Sequence, residues 1–187
     1  MQTKTVHTKH YTDMIALELQ GRLGNQMFRY AYARVLMARR GDKDKLAIGL
    51  KWMSFKPASE GYIDQLCNFN TVAYTTHSEW LFKQYGSAVQ RMVSRSLYYA
   101  IKAARRLLKK DKPWTENICF PILNALGLHY NHDNGHFFST PRTKDVIIDG
   151  YWENPAYFSG GGIRNFFATT LHLVCPNLSI TKNYTRR

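Results

Sequence analysis

The order of apolar and polar positions near the start of the chain predicts a strand, a turn and a helix. In residues 14–20 every second side chain is a large aliphatic one, which places Ile15, Leu17 and Leu19 on one face of a strand. Apolar side chains then recur every three or four residues over 26–40, the spacing of a helix that buries one side. Its last turn is basic and Gly41 follows, a combination typical of a helix C-terminus.

The same kind of reading extends over the rest of the chain. Four further segments carry a clear signal: strands at 45–50 and 145–152, and helices at 79–110 and 158–174. Residues 51–78 are aromatic-rich and without a clear period. Strands that alternate with helices predict a layered α/β fold.

Composition indicates that a partner of this protein is negatively charged. Lys and Arg number 26 against 13 Asp and Glu, a formal net charge of +13. Such an excess attracts nucleic acid, anionic lipid or phosphate-bearing small molecules, and charge alone does not choose among them. Hydrophobic residues make up 44% of the chain, which favours a globular protein over a disordered one.

Cysteine usage and hydropathy point to a reducing compartment. Cys67, Cys119 and Cys175 are far apart and form no CxxC pair, so we expect neither a disulfide framework nor a zinc site. No run reaches the roughly 18 consecutive apolar residues of a membrane span, and the N-terminus is too polar for a signal peptide. We expect a cytoplasmic protein, with peripheral attachment to the inner face of the membrane as the alternative.

The turn after the first strand is a candidate anion site. Gly21 and Gly24 bracket it and permit a tight bend and a close backbone approach. The first amides of the following helix lack internal partners, and the helix dipole is positive there, so a phosphate is favoured. Arg22 adds a guanidinium suited to phosphate oxygens. Asn25 is either an amide donor or only the cap of the helix, in which case the turn binds nothing.

Two segments resemble one enzyme family. GRLGNQMFRYAYARVLMARRG closely resembles the opening motif of glycosyltransferase family 11, the α-1,2-fucosyltransferases, which begins with a strand, G-[GR]-[LF]-G-N-Q-M and a helix. IIDGYWENPAYF resembles a later strand that ends in G-Y-[WF]-Q-[SN]-x-x-Y-F, followed by a helix that often contains Ile-Arg. Seven residues fit this second motif: Gly150, Tyr151, Trp152, Tyr157, Phe158, Ile163 and Arg164. Glu153 replaces its usual Gln.

The resemblance implies a fold and a reaction. The fold is GT-B, in which two Rossmann-like lobes face each other across a cleft, and residues 14–174 would form the N-terminal lobe. The reaction transfers fucose from GDP-fucose to the 2-hydroxyl of a terminal galactose on a glycan acceptor. It inverts the anomeric carbon and generally requires no metal ion or other cofactor.

The matched motifs also imply roles for individual residues. Four positions are expected to bind the donor diphosphate: Gly21, Arg22, Gly24 and Asn25. Gln26 is expected to start the helix or to support the donor site from behind. Tyr151 and Trp152 either face the acceptor or have a structural role.

One diagnostic part of the family pattern is missing. The family carries H-x-R-R-G-D in its second lobe, and the only similar stretch here, at Arg39 to Asp42, follows the first helix instead. We therefore expect a truncated form with little activity alone, in which 1–13 is a flexible tail and 175–187 begins the region between the lobes. The alternatives are a non-catalytic remnant or anion-binding module with this fold, and a basic nucleic-acid-binding protein.

The remaining candidates carry weaker signals. His129, His132 and His136 lie near Asp133 and contain metal-ligand types, but their Asn- and Gly-rich setting favours a solvated loop. The basic run at 95–112 lacks interleaved exposed aromatics, so nucleic acid is not the expected partner. Four carboxylates stand near strand ends, and none is identified as a catalytic base: Asp13, Glu18, Asp149 and Glu153.

Overall fold

The computed structural model describes residues 13–111, 113–131, 145–153 and 157. In this part of the chain five strands form one sheet: β1 Met14–Glu18, β2 Lys45–Gly49, β3 Tyr74–His77, β4 Leu128–Asn131 and β5 Val146–Gly150. Four α-helices accompany them: α1 Leu23–Arg39, α2 Leu81–Gln84, α3 Ala88–Leu107 and α4 Pro113–Ala125. Three short 3₁₀ turns, Met53–Phe55, Ala58–Glu60 and Leu66–Asn68, lie between β2 and β3. Residues 1–12 of the predicted tail, the predicted final helix and the segment 175–187 fall outside the residues described.

All pairings in the sheet are parallel, and the strand order is β3-β2-β1-β5-β4. The predicted α/β class is therefore confirmed, and the sheet is compatible with a Rossmann-like lobe. From β1 the chain continues to β2 and β3 on one side, while β5 and β4 occupy the other side. β1 and β5 are thus neighbours although they are far apart in sequence, and the crevice outside the carboxyl ends of the strands is where open α/β sheets bind ligands.

Each face of the sheet is covered by helices. Ile15, Leu17 and Leu19 pack in one core with residues of α1, as the alternation in β1 predicts. The intervening Ala16 belongs to a second core, which residues of α2 and α4 complete and against which partly buried residues of α3 pack. The result is a three-layer arrangement with α1 on one side and α2 to α4 on the other.

Several element boundaries differ from those predicted. Helix α1 begins at Leu23 rather than at residue 26, and its N-cap is Arg22. The predicted helix over 79–110 is two helices, because Ser87 starts α3 with a capping box shared with Gln90. Strand β3 lies in a region predicted as irregular. Helix α3 ends at Leu107, and Pro113 begins α4, a position where proline's missing N–H costs nothing.

Candidate functional site at the carboxyl edge of the sheet

A buried ionic cluster lies where β1 and β5 end side by side. Glu18 is the last residue of β1, and Asp149 stands next to the end of β5. Arg29, from the middle of α1, lies between them: its Nη1 donates to the backbone carbonyl of Glu18 at 2.6 Å and lies 3.6 Å from Asp149 Oδ1. Its Nη2 donates to Gln20 Oε1 at 2.8 Å. One guanidinium thus ties together the segments that leave both strands.

The Glu18 carboxyl is held on one oxygen only. Oε1 accepts from the backbone N–H of Leu81 at 2.7 Å, which fixes the start of α2. Oε2 is buried and has no hydrogen-bond partner among the described residues. It rests against Gly49, and a Cβ at that position would collide with it. A glycine at the end of β2 therefore makes room for this carboxyl.

Burial sets the ionisation of the cluster. Desolvation, followed by repulsion from Asp149, raises the pKa of Glu18 from 4.5 to about 7, against lowering by the Leu81 and Phe82 amides and by Arg29. Desolvation also lowers the pKa of Arg29, which nonetheless stays protonated at neutral pH because a free guanidinium titrates so high. Glu18 is consequently a group that exchanges its proton near neutrality, as a general acid or base requires.

The glycine turn directly follows this cluster. Gly21 has φ +82°, the left-handed region that favours glycine, and an added Cβ would come within 2.6 Å of the Asn25 side-chain nitrogen. Gly24 has nothing within 4 Å of its Cβ position, so the first turn of α1 is open to an approaching ligand. The Arg22 side chain is exposed, makes no capping bond and lies 5.8 Å from the ring centroid of Tyr62. Asn25 lies within the first turn of α1, so the alternative that it caps the helix is wrong.

Gln26 fastens this turn to the segment after β2. Its Nε2 donates to the carbonyls of Gly21 at 3.0 Å and Ile63 at 2.9 Å, and its Oε1 accepts from the Gln65 N–H at 3.0 Å. The side chain is fully buried. Gln26 therefore positions the turn from behind and is not placed to meet a ligand.

The second motif divides between the site and the core. Tyr151 lies beside the cluster, with its ring centroid 5.5 Å from the Arg29 guanidinium carbon. Trp152 is completely buried and stacks on Tyr32, with centroids 3.7 Å apart and planes 10° from parallel. Tyr157 is buried against both and accepts from Asn131 Nδ2 at 2.6 Å. Two roles were expected for Trp152, and its buried position fits the structural role.

A cleft of about 1150 Å³ opens from the cluster toward α3. Glu18 and Asp149 lie in its wall, together with Trp52 and Trp80, which follow β2 and β3. The two indoles meet edge to face with centroids 4.8 Å apart, and Trp52 Nε1 is buried without a hydrogen-bond partner in the described part of the chain. Trp52 and Trp80 were not singled out from the sequence. The available signal for Trp52 was that it follows the predicted strand at 45–50; Trp80 follows β3, which the sequence did not predict.

The other predicted candidates have structural positions. His129 is buried between Tyr32, whose hydroxyl lies 2.9 Å from Nδ1, and Asn124, and desolvation lowers its pKa to about 3. Arg40 pairs with Asp44 at 2.9 Å and with Asp13 at 3.3 Å.

His132, Asp133 and His136 lie outside the described residues, as do Phe158, Ile163 and Arg164. Within the described ranges no three His, Cys, Asp or Glu side chains are grouped as a metal site.

Membrane crossing was tested on the same part of the chain. None of its helices combines the length and the apolar character that a bilayer span requires. Of the two cysteines described, Cys67 is exposed and Cys119 is buried, and no disulfide joins them.

Comparisons of the chain with protein-family models, with curated proteins and with solved structures gave no match. The relation to glycosyltransferase family 11 therefore rests on the two motifs, and the site geometry is the independent observation to set beside it.

Proposed function

We propose that this chain is the N-terminal lobe of a GT-B-type α-1,2-fucosyltransferase, which transfers fucose from GDP-fucose to the 2-hydroxyl of a terminal galactose. One observation carries the proposal. The two segments that resemble the family, around 21–25 and 150–152, are far apart in sequence but lie together at the carboxyl ends of two adjacent parallel strands, β1 and β5. Ligands of open α/β sheets bind at this place.

The donor side of the proposed site is the first turn of α1. Its free amides and the positive end of its dipole suit the diphosphate of a sugar nucleotide, and the open space at Gly24 lets a phosphate approach the backbone. The exposed guanidinium of Arg22 is within reach of the same position and adds charge-assisted hydrogen bonds. These contacts would stabilise the charge that grows on departing GDP.

The acceptor side is proposed to lie in the cleft beside Glu18. As the galactose hydroxyl oxygen bonds to the anomeric carbon of fucose, the bond from that carbon to the β-phosphate oxygen breaks and GDP leaves with the electron pair. The hydroxyl proton needs an acceptor, and Glu18 lines the cleft and has a pKa of about 7. The partly exposed faces of Trp52 and Trp80 offer the sugar ring an apolar surface.

The chain alone is proposed to have little transferase activity. Residues 1–187 contain no H-x-R-R-G-D segment, so the donor contact that its arginine makes in the family would have to come from outside these residues. Loss of one donor to a developing oxyanion lowers rates by about 10² to 10³. We propose the cytoplasm as its compartment, since its three cysteines are widely spaced and form no CxxC pair.

Calorimetric titration with GDP tests the donor site without requiring turnover. We expect the full chain to bind GDP, and Arg22→Ala to weaken this binding about tenfold or more, because an exposed arginine that contacts phosphate contributes through charge-assisted bonds. Lys43→Ala removes an exposed cation at the other end of α1 and is the matched control. Equal GDP affinity in Arg22→Ala and wild type would contradict the donor site.

The assay also separates the alternatives. GDP binding without transfer to a galactoside, even after a second lobe is supplied, would favour a non-catalytic anion-binding module. Salt-sensitive binding to random DNA, with no affinity for GDP, would favour the basic nucleic-acid-binding protein.

A further inference from the structure

Helix α3 exposes apolar side chains where a surface helix is normally polar. Its inner side supplies partly buried Leu97, Tyr98 and Ile101 to the second core. Large apolar side chains nevertheless recur along its outer side at helical spacing and continue past its end: Val89, Met92, Tyr99, Leu107 and Leu108. Met92 is 67% exposed and Leu107 83%. A row of this kind on a surface marks a binding face, because isolated exposed apolar residues are common but aligned ones are not.

The charge of this helix is entirely positive. Residues 88–110 contain seven Lys and Arg and no Asp or Glu. Lys102 and Arg106 lie along one side of the apolar row, and Lys109 and Lys110 are exposed just beyond the helix. Within the described part of the chain no carboxylate pairs with these four cations. The face therefore combines an unneutralised positive band with an apolar row.

We infer that this outer face of α3, with Leu108, Lys109 and Lys110, docks the protein on an anionic phospholipid bilayer. The apolar row would enter the boundary between headgroups and acyl chains, and the cations beside it would lie at the level of the lipid phosphates. Met92, Tyr99 and Lys102 also line the cleft that reaches Glu18, so the docking face borders the proposed acceptor site. The inference itself is drawn from the exposure and charge of α3 and does not require transferase activity.

Nucleic acid fits the same face less well. Lys and Arg would meet its phosphates, but the exposed Met92, Leu107 and Leu108 would gain nothing from a polyanion. Stacking on single-stranded bases needs exposed aromatic rings among the cations, and the apolar row contains only Tyr99. An anionic bilayer would contact both the apolar row and the cations beside it.

The test is co-sedimentation of the full chain with vesicles of phosphatidylcholine alone or with about 30% phosphatidylglycerol. We expect binding to the anionic vesicles that weakens as salt is raised, and little binding to the neutral ones. Leu107→Ser with Leu108→Ser should weaken binding more than tenfold, because it removes two large apolar side chains that would enter the bilayer. The variant should still fold, because both side chains are exposed and no core packing is lost. Lys109→Gln with Lys110→Gln should weaken it about 25-fold, since each lysine near an anionic surface contributes about fivefold.

Lys43→Gln with Lys45→Gln is the matched control, because it removes two exposed lysines after α1. The inference is overturned if this control lowers binding as much as the Lys109 and Lys110 pair, since net charge alone would then explain it. It is also overturned if the chain ignores anionic vesicles, or if it binds DNA tightly and vesicles not at all.

Discussion

Glu18 is buried beside Asp149, an environment that disfavours its charged form. Ionisation of its carboxyl should therefore lower the free energy of unfolding by a measurable amount. Its pKa is 4.5 in a free side chain and about 7 in the folded protein, where burial and then Asp149 are the main causes. Between these two values the folded protein keeps the proton, whereas the unfolded chain has released it. Because the folded state binds more protons in this window, the free energy of unfolding falls as the pH rises through it and is level above it.

The size of this effect follows from the two pKa values. One pKa unit corresponds to about 1.4 kcal/mol, so the full difference is worth about 3 kcal/mol, of which about 2.5 kcal/mol develops between about pH 5 and about pH 8. His129 acts in the opposite direction, since burial lowers its pKa from 6.5 to about 3. There the unfolded chain binds the extra proton, and stability is lost as the pH falls below about 6.5. The wild-type profile contains both contributions.

A variant that lacks only the Glu18 carboxyl separates the Glu18 contribution from that of His129. Glu18→Gln keeps the size of the side chain and an oxygen that can accept from the Leu81 N–H. Its free energy of unfolding in urea, relative to wild type, should increase by about 2.5 kcal/mol from about pH 5 to about pH 8. Glu153→Gln alters an exposed carboxyl at the same edge of the sheet and should keep the wild-type profile. Parallel profiles of Glu18→Gln and wild type would refute the raised pKa and, with it, the proposed proton acceptor.

Three further predictions concern stability and are checked by chemical denaturation. Gly21→Ala should lower the free energy of unfolding by about 1–3 kcal/mol, because φ is +82° and the added Cβ would collide with Asn25. Gly24→Ala should raise it by up to about 1 kcal/mol, because Gly24 is in a helix with open space around its Cβ position. A larger loss for Gly24→Ala than for Gly21→Ala would contradict the turn geometry. Gln26→Ala should lower the free energy of unfolding by about 3 kcal/mol, since it removes three hydrogen bonds to partly buried backbone groups; an unchanged value would contradict its role in holding the turn. Trp152→Ala should cost about 3–5 kcal/mol, and a loss below 1 kcal/mol would show that it is not a core residue.

The sequence by itself determined the elements whose burial pattern is local. In β1 and α1 the large apolar side chains recur at the period of the element, so the strand, the helix and the layered α/β class could be predicted from the sequence. The turn at Gly21 was also legible, since glycine there meets a backbone requirement. Strand β3 was missed because it is an edge strand with no buried residue, and its alternation carries no apolar signal.

The tertiary structure alone decided which distant residues meet. Strand order depends on how helices pack on the sheet, and no local pattern states that β5 lies beside β1. That adjacency brings Asp149 to Arg29 and Glu18, and the burial it produces sets the Glu18 pKa. It likewise places Trp152 on Tyr32 rather than in the cleft. Periodicity is a property of one segment and can be seen in the sequence. Ionisation and exposure depend on an environment that several segments build together, so only the tertiary structure decides them.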